Sequence, residues 1–138
     1  MSHLPFPFER SARLAIKNAV KTQAVDAELA ASEIEIFQSA AYRTAKDLPR
    51  PLVLLFDDPT QQQFSKQDLS IPLEQILIEY GSNKVVGIYP ITPHPSKGRF
   101  IQCYSGLQAV ILALPGFAKK HRIQLHKTIV NIKIKKHA

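Results

Sequence analysis

The spacing of apolar positions changes near residue 33. Before it, residues 9–31 hold many alanines and no proline or glycine, a composition that favours helix. Leu14, Ile16, Ala19, Val20, Ala24, Ala27 and Ala31 are only loosely periodic, so the helix expected there has a weak, alanine-rich apolar face. Such a helix would sit as an appendage, residues 1–31, on a main body formed by residues 32–138.

Beyond residue 33 the chain becomes a series of short apolar runs broken by prolines. Residues 34–37 alternate and predict a strand. Leu52, Val53, Leu54, Leu55 and Phe56 are apolar without interruption, the mark of a strand covered on both faces, and Asp57-Asp58-Pro59 stops it. Residues 76–80 and 84–89 flank Gly81-Ser82-Asn83 and read as a β-hairpin with positive φ at Gly81 or Asn83. Pro90, Pro93 and Pro95 then predict an extended segment outside any ladder. Residues 99–104 and 109–114 are further strands, Pro115-Gly116 is a break, and residues 117–123 suit a turn or two of helix. In the last strand, residues 129–134, Ile132 and Ile134 share one face while Lys133 and Lys135 share the other.

This pattern predicts a mainly β domain with α elements at its margins. The expected architecture is an antiparallel sandwich or partly closed barrel of six to seven short strands, with an N-terminal helix and a short helix near the C-terminus. No gap between strands holds a full crossover helix, which argues against parallel pairing. The length suits one domain able to form its own core.

Charge alters the picture. Residues 1–79 carry 8 Lys/Arg and 11 Asp/Glu, a net of −3. Residues 80–138 carry 10 Lys/Arg and no acid, a net of +10, and the two sum to the chain's +7. Lys119, Lys120 and Arg122 on the short helix, with Lys133 and Lys135 on the last strand, are the candidate anion-binding residues. The expected partner is a polyanion or an acidic protein. The competing expectation is a solvated face whose field is offset by the acidic half packed beside it.

Other chemistry is sparse. The single cysteine, Cys103, allows no disulfide within the chain, and it reads as a small buried hydrophobe. No cofactor or metal is expected: His94, His121 and His126 have no ligand spacing, and Asp57-Asp58 is explained by the turn that follows a strand. Nucleophile elbows and glycine-rich phosphate loops are absent. Arg99, Phe100 and Tyr104 put aromatics beside charge, although on an extended strand Phe100 and Tyr104 read as core. There is no apolar run of membrane-spanning length, and the first ten residues lack a leader pattern, so a cytoplasmic chain is expected.

The order of segments between residues 34 and 132 resembles the bacterial and archaeal family known as domain of unknown function 192. The run 52–56 stands where that family has a Met-Leu-Phe-rich strand. Residues 64–74, from Phe64 through Ile71-Pro72-Leu73-Glu74, are similar to its F-W-M-K-N-T-x-I-P-L-D segment. The hairpin 76–88 is similar to its strand–turn–V-V-x-I unit, and Leu112-Ala113-Leu114-Pro115-Gly116-Phe117-Ala118 to L-E-L-P-A-G-x-A. Ser65-Lys66, Asp68-Leu69, Ala113 and His126-Lys127 depart from the family's polar positions. The resemblance implies a β-rich fold and lends no activity, and many members of the family are exported. The functional expectation is a non-enzymatic binding or accessory domain with a basic surface. The alternative is a small hydrolase-like or carbohydrate-acting enzyme whose site escapes motif reading.

Because five consecutive apolar residues predict a central strand, Leu54→Asp is expected to cost several kcal/mol by burying an unpaired charge. Thermal melting of the variant checks this, with a large fall in melting temperature as the expected result.

Overall fold

The computed structural model of the chain describes residues 3–58, 62–65, 69–93, 101–104 and 106–135. Arg99, Phe100, Asp68, His94 and Pro95, weighed above, lie outside the described residues. Seven strands form one mixed sheet: β1 (Ser11–Lys17), β2 (Thr22–Ala30), β3 (Leu52–Leu55), β5 (Leu73–Glu79), β6 (Val85–Ile91), β8 (Leu107–Ala113) and β9 (Ile129–Ile134). Their order is β6-β5-β8-β3-β2-β1-β9, and β4 (Gln62–Ser65) pairs with β7 (Ile101–Tyr104) in a separate ribbon. Two short helices, α1 (Glu33–Gln38) and α2 (Phe117–Lys120), complete a mainly β fold.

The sheet is not closed, yet it curls until its two edge strands touch at one end. There the Val85 amide donates to the Thr128 carbonyl at 3.0 Å, and the Val130 amide donates to the Asn83 carbonyl at 2.8 Å. The curl has an inner core of Leu14, Ile16, Leu29, Val53, Ile76, Ile78, Ile111 and Val130. Ala118 and Ile123, on and just after α2, belong to this inner cluster. On the outer face Leu52, Leu54, Leu73, Val110 and Leu112 pack against Phe8, Ala40 and Leu48, which come from the N-terminal segment and the connection after α1. Both sheet faces are therefore dry, which is why β3 reads as continuously apolar: Leu52 and Leu54 point outward, Val53 inward.

The β5–β6 hairpin forms as expected, with Gly81 at φ +93° and Asn83 at φ +59°. Pro90 lies inside β6, opposite Glu74, where a non-ladder segment was expected. β6 is an edge strand, so the missing amide of proline costs no ladder bond.

Four further expectations are corrected. Residues 9–31 contain no helix; they form the β1–β2 hairpin. Ala12, Leu14 and Ile16 are fully buried at a spacing of two, as are Ala27 and Leu29. Helix propensity summed over alanines was overridden by burial on a strand period. Residues 1–31 are also no appendage, because β2 lies inside the sheet between β1 and β3. Deleting residues 1–30, expected to be harmless if they were an appendage, would remove both strands.

Conversely, residues 34–37 are not a strand but the body of α1. Ser32 and Glu35 form a capping box, with the Ser32 side chain accepting from the Glu35 amide and Glu35 accepting from the Ser32 amide. Finally, β2 and β3 are parallel. The connection from residue 31 to 51 is long enough to return the chain without a full crossover helix.

A buried ion pair joins these pieces. Arg43 is fully buried and Glu28 nearly so. The Arg43 guanidinium donates through Nη1 to Glu28 Oε1 and through Nη2 to Oε2, each at 2.6 Å, and the Phe8 amide donates to Oε2 at 2.6 Å. The guanidinium carbon sits 5.0 Å from the Phe6 ring centre and 4.9 Å from that of Phe8. The site thus ties β2 to the N-terminal segment and to the turn following α1.

Removing one partner strands a charge in a dry place, so Glu28→Ala or Arg43→Met should each cost about 3–5 kcal/mol. The double variant Glu28→Ala/Arg43→Met should cost less than the sum of the two, because no orphan charge remains. Urea unfolding of the four proteins measures both effects.

Candidate anion-binding cleft

The candidate site follows from a mismatch in strand length. β2 has nine residues and β3 only four, and Leu52 of β3 stands opposite Glu28. Residues 22–27 of β2 consequently run past the start of β3, with no sheet neighbour on that side among the described residues. The last tie is the Glu28 amide donating to the Pro51 carbonyl at 2.9 Å. By strand alternation, the amide and carbonyl of Asp26 turn the same way, beyond the end of β3.

The gap is a cleft of about 400 Å³. Its walls are Val25 and Asp26 of β2, residues 48–51 entering β3, residues 113–117 leaving β8, and Lys120 and His121 at the end of α2.

Its charges come from both halves of the sequence. Lys135 Nζ lies 2.7 Å from Asp26 Oδ1, and Arg13 Nε lies 3.7 Å from the same oxygen. The hydrogen bond from Lys135 and its charge hold the Asp26 carboxyl below the usual carboxylate range, with weaker help from Arg13 and Arg50. Asp26 is therefore ionised near neutrality. It is the one acid in a lining that also holds Arg50, Lys120 and His121.

His121 is held by its surroundings rather than free to swing. Its Nδ1 is 3.1 Å from Gln23 Oε1, and its carbonyl accepts from Asn18 Nδ2 at 3.0 Å and Gln23 Nε2 at 3.3 Å. Its ring centre lies 4.4 Å from that of Phe117, at a tilt of 47°. Partial burial, with the nearby Lys120 charge, lowers its pKa. The start of α2 is already satisfied within the protein: the Gly116 and Ala118 amides donate to Glu74 Oε2 and Oε1 at 3.0 and 2.9 Å.

Of the five residues singled out from the sequence, Lys120 lines the cleft, and Lys135 reaches it through Asp26. Lys133 is exposed and stands opposite Arg13 in the β1–β9 register, on the outward side of the strand. Lys119 and Arg122 are exposed on α2 and just after it, the latter at φ +54°, and neither lines the cleft. Sequence reasoning missed Arg13, Arg50 and Asp26, which lie in the half read as net acidic. The available signals were the alternation of β1, which turns Arg13 away from Leu14, and the two prolines flanking Arg50. Among the described residues no group of three or more His, Cys, Asp or Glu is placed to hold a metal. Nor does any helix there have the length and apolarity to cross a membrane.

No family model matches the chain, and no curated protein matches it. Two solved structures share its fold. A protein of unknown function from Novosphingobium aromaticivorans DSM 12444 superposes with a TM-score of 0.68 at 17% identity, over 98% of this chain and 91% of that one. A structure described as "a putative transcription regulator" from Sinorhizobium meliloti 1021 superposes with a TM-score of 0.62, also at 17% identity. That match covers 88% of this chain and 93% of the other. At such identity the likeness establishes the fold alone, and it does so across nearly the whole chain.

The lowered pKa of His121 has a definite consequence for stability. Where pH lies between the folded value and the unfolded value near 6.5, the unfolded chain binds a proton that the folded chain does not. The contribution is complete above the unfolded value and is lost as pH falls through the folded one. Melting temperature should therefore drop on acidification through this window, and His121→Gln should flatten that part of the profile. An NMR titration of the ring should give a midpoint below that of a free histidine.

Proposed function

We propose that this chain is a non-enzymatic binding domain that takes anionic partners on the cleft side of the sheet. The observation that supports it is the grouping of Arg13, Arg50 and Lys135 around a single carboxylate, Asp26, with Lys120 in the same cleft lining. Cations from four separate segments, two of them in the cleft lining, present a field that Asp26 only partly offsets, and polyanions bind such fields by displacing counterions. We further propose that the chain is a divergent member of the domain of unknown function 192 family. That assignment rests on the order of segments between residues 34 and 132.

The test is retention on heparin and on mixed-sequence nucleic acid across a salt series. Binding is expected at ~50 mM salt and should weaken steeply by ~200 mM, since each phosphate contact contributes to the salt slope. Lys120→Glu should weaken binding and reduce that slope by about one or more. Lys135→Glu should do the same. Undetectable binding at the lower salt would overturn the reading.

A further inference from the structure

We infer that the cleft receives one base of a single-stranded nucleic acid, stacked on the Phe117–His121 wall with its flanking phosphates on Lys120 and Arg50. This deepens the anion-binding reading above and rests on it. The walls differ from a purely electrostatic patch, for they combine flat apolar surfaces with cations at the rim. Pro49, Pro51 and Pro115 supply rigid faces without amide donors, and Phe117 and His121 supply two rings in contact. A base offers a π-face to such surfaces whatever its sequence, and its neighbouring phosphates demand the cations.

Size and hydrogen bonding agree with this occupant. At about 400 Å³ the cleft lies near the small end of the range for compact ligands, about 300–1,000 Å³, which suits one base and no duplex. The carboxylate of Asp26 repels phosphate from its wall but accepts hydrogen bonds from the ring or exocyclic N–H groups of a base. Orientation follows: the base edge toward Asp26, the backbone toward Lys120 and Arg50. His121, held neutral above its lowered pKa, can stack without adding a charge to that wall. An acidic peptide fits less well: it could pair with the open edge of β2, but it brings no planar ring to the Phe117–His121 wall.

The experiment compares the full chain's affinity, at ~50 mM salt, for a labelled single-stranded 12-mer, an abasic 12-mer with the same number of phosphates, and heparin. Stacking one base is expected to make the normal oligomer bind at least about fivefold more tightly than the abasic one. Lys120→Glu, verified as folded by its melting curve, should lose affinity for all three. Equal affinity for the normal and abasic oligomers, with heparin still bound, would overturn the base-stacking inference and leave the anion-binding reading standing. Failure to bind any of the three would overturn both. Tighter binding to polyglutamate than to the oligomer would also sink the inference, in favour of an acidic protein partner.

Discussion

The Glu28–Arg43 pair is the constraint on which the outer half of the structure depends. A carboxylate and a guanidinium, both out of water, are tolerable only if nearly every polar atom finds a partner. Glu28 accepts two bonds from Arg43 and one from the Phe8 amide, so both of its oxygens are partnered. Arg43 gives both terminal nitrogens to Glu28 and is flanked by Phe6 and Phe8, and its Nε is left buried without a partner. That orphan donor is a standing cost, and it marks the site as one held by geometry rather than tuned for maximal stability. The same pair fixes where the chain can go next. Gln38 anchors Leu4 by two hydrogen bonds, one in each direction, and Thr44 and Asp47 lock the turn that leads into residues 48–51. Thus a charge on β2 determines the path of a segment that becomes one wall of the cleft.

What was legible in the sequence divides along a physical line. Where a segment's partners are close in the chain or where both faces are buried, local pattern was enough. The hairpin of β5 and β6, the continuous apolar run of β3 and the alternation of β9 were all readable. Where small residues were involved, composition and period disagreed. Ala12, Ala15, Ala24 and Ala27 raise helix propensity, yet the spacing of Leu14 and Ile16 by two already pointed to a strand. The capping box Ser32-Glu33-Ile34-Glu35 was likewise written in the sequence, but Ile34 and Ile36 imitated a strand alternation. The long-range ion pair had no local signature, since neither Glu28 nor Arg43 announces that it will be buried.

The candidate site was only half legible for a related reason. Dividing the chain into an acidic first half and a basic second half treats sequence halves as spatial halves. The sheet does not respect that division, because β1 and β2 from the first half lie between β9 and β3. Acids and bases are thereby interleaved: Asp26 meets Lys135, and Glu74 closes the start of α2. Lys135 of the basic half pairs with Asp26 of the first, and Lys120 shares the cleft lining with Arg50. Lys120 lies in the cleft lining, and Lys135 comes to it only through Asp26, an acid on a strand that had been read as helix.

The cleft itself is a consequence of unequal strand lengths rather than of any motif. A four-residue β3 beside a nine-residue β2 must leave a vacancy at one end, and the residues that border it are those of the connections, not of the strands. Those connections are unusually stiff. Arg50 sits between two prolines, and Gly116 follows Pro115 at φ +96° before α2, whose first amides are held by Glu74. Stiff walls keep their shape whether or not the cleft is filled, so the conformational entropy lost on filling it falls mainly on the long side chains at the rim. Lys120 is one such side chain, exposed and able to follow a ligand, while His121 beside it is pinned by Gln23. On the proposed binding role, a rigid apolar interior with adaptable cations at its mouth would let shape select the group that enters and charge set how fast it arrives.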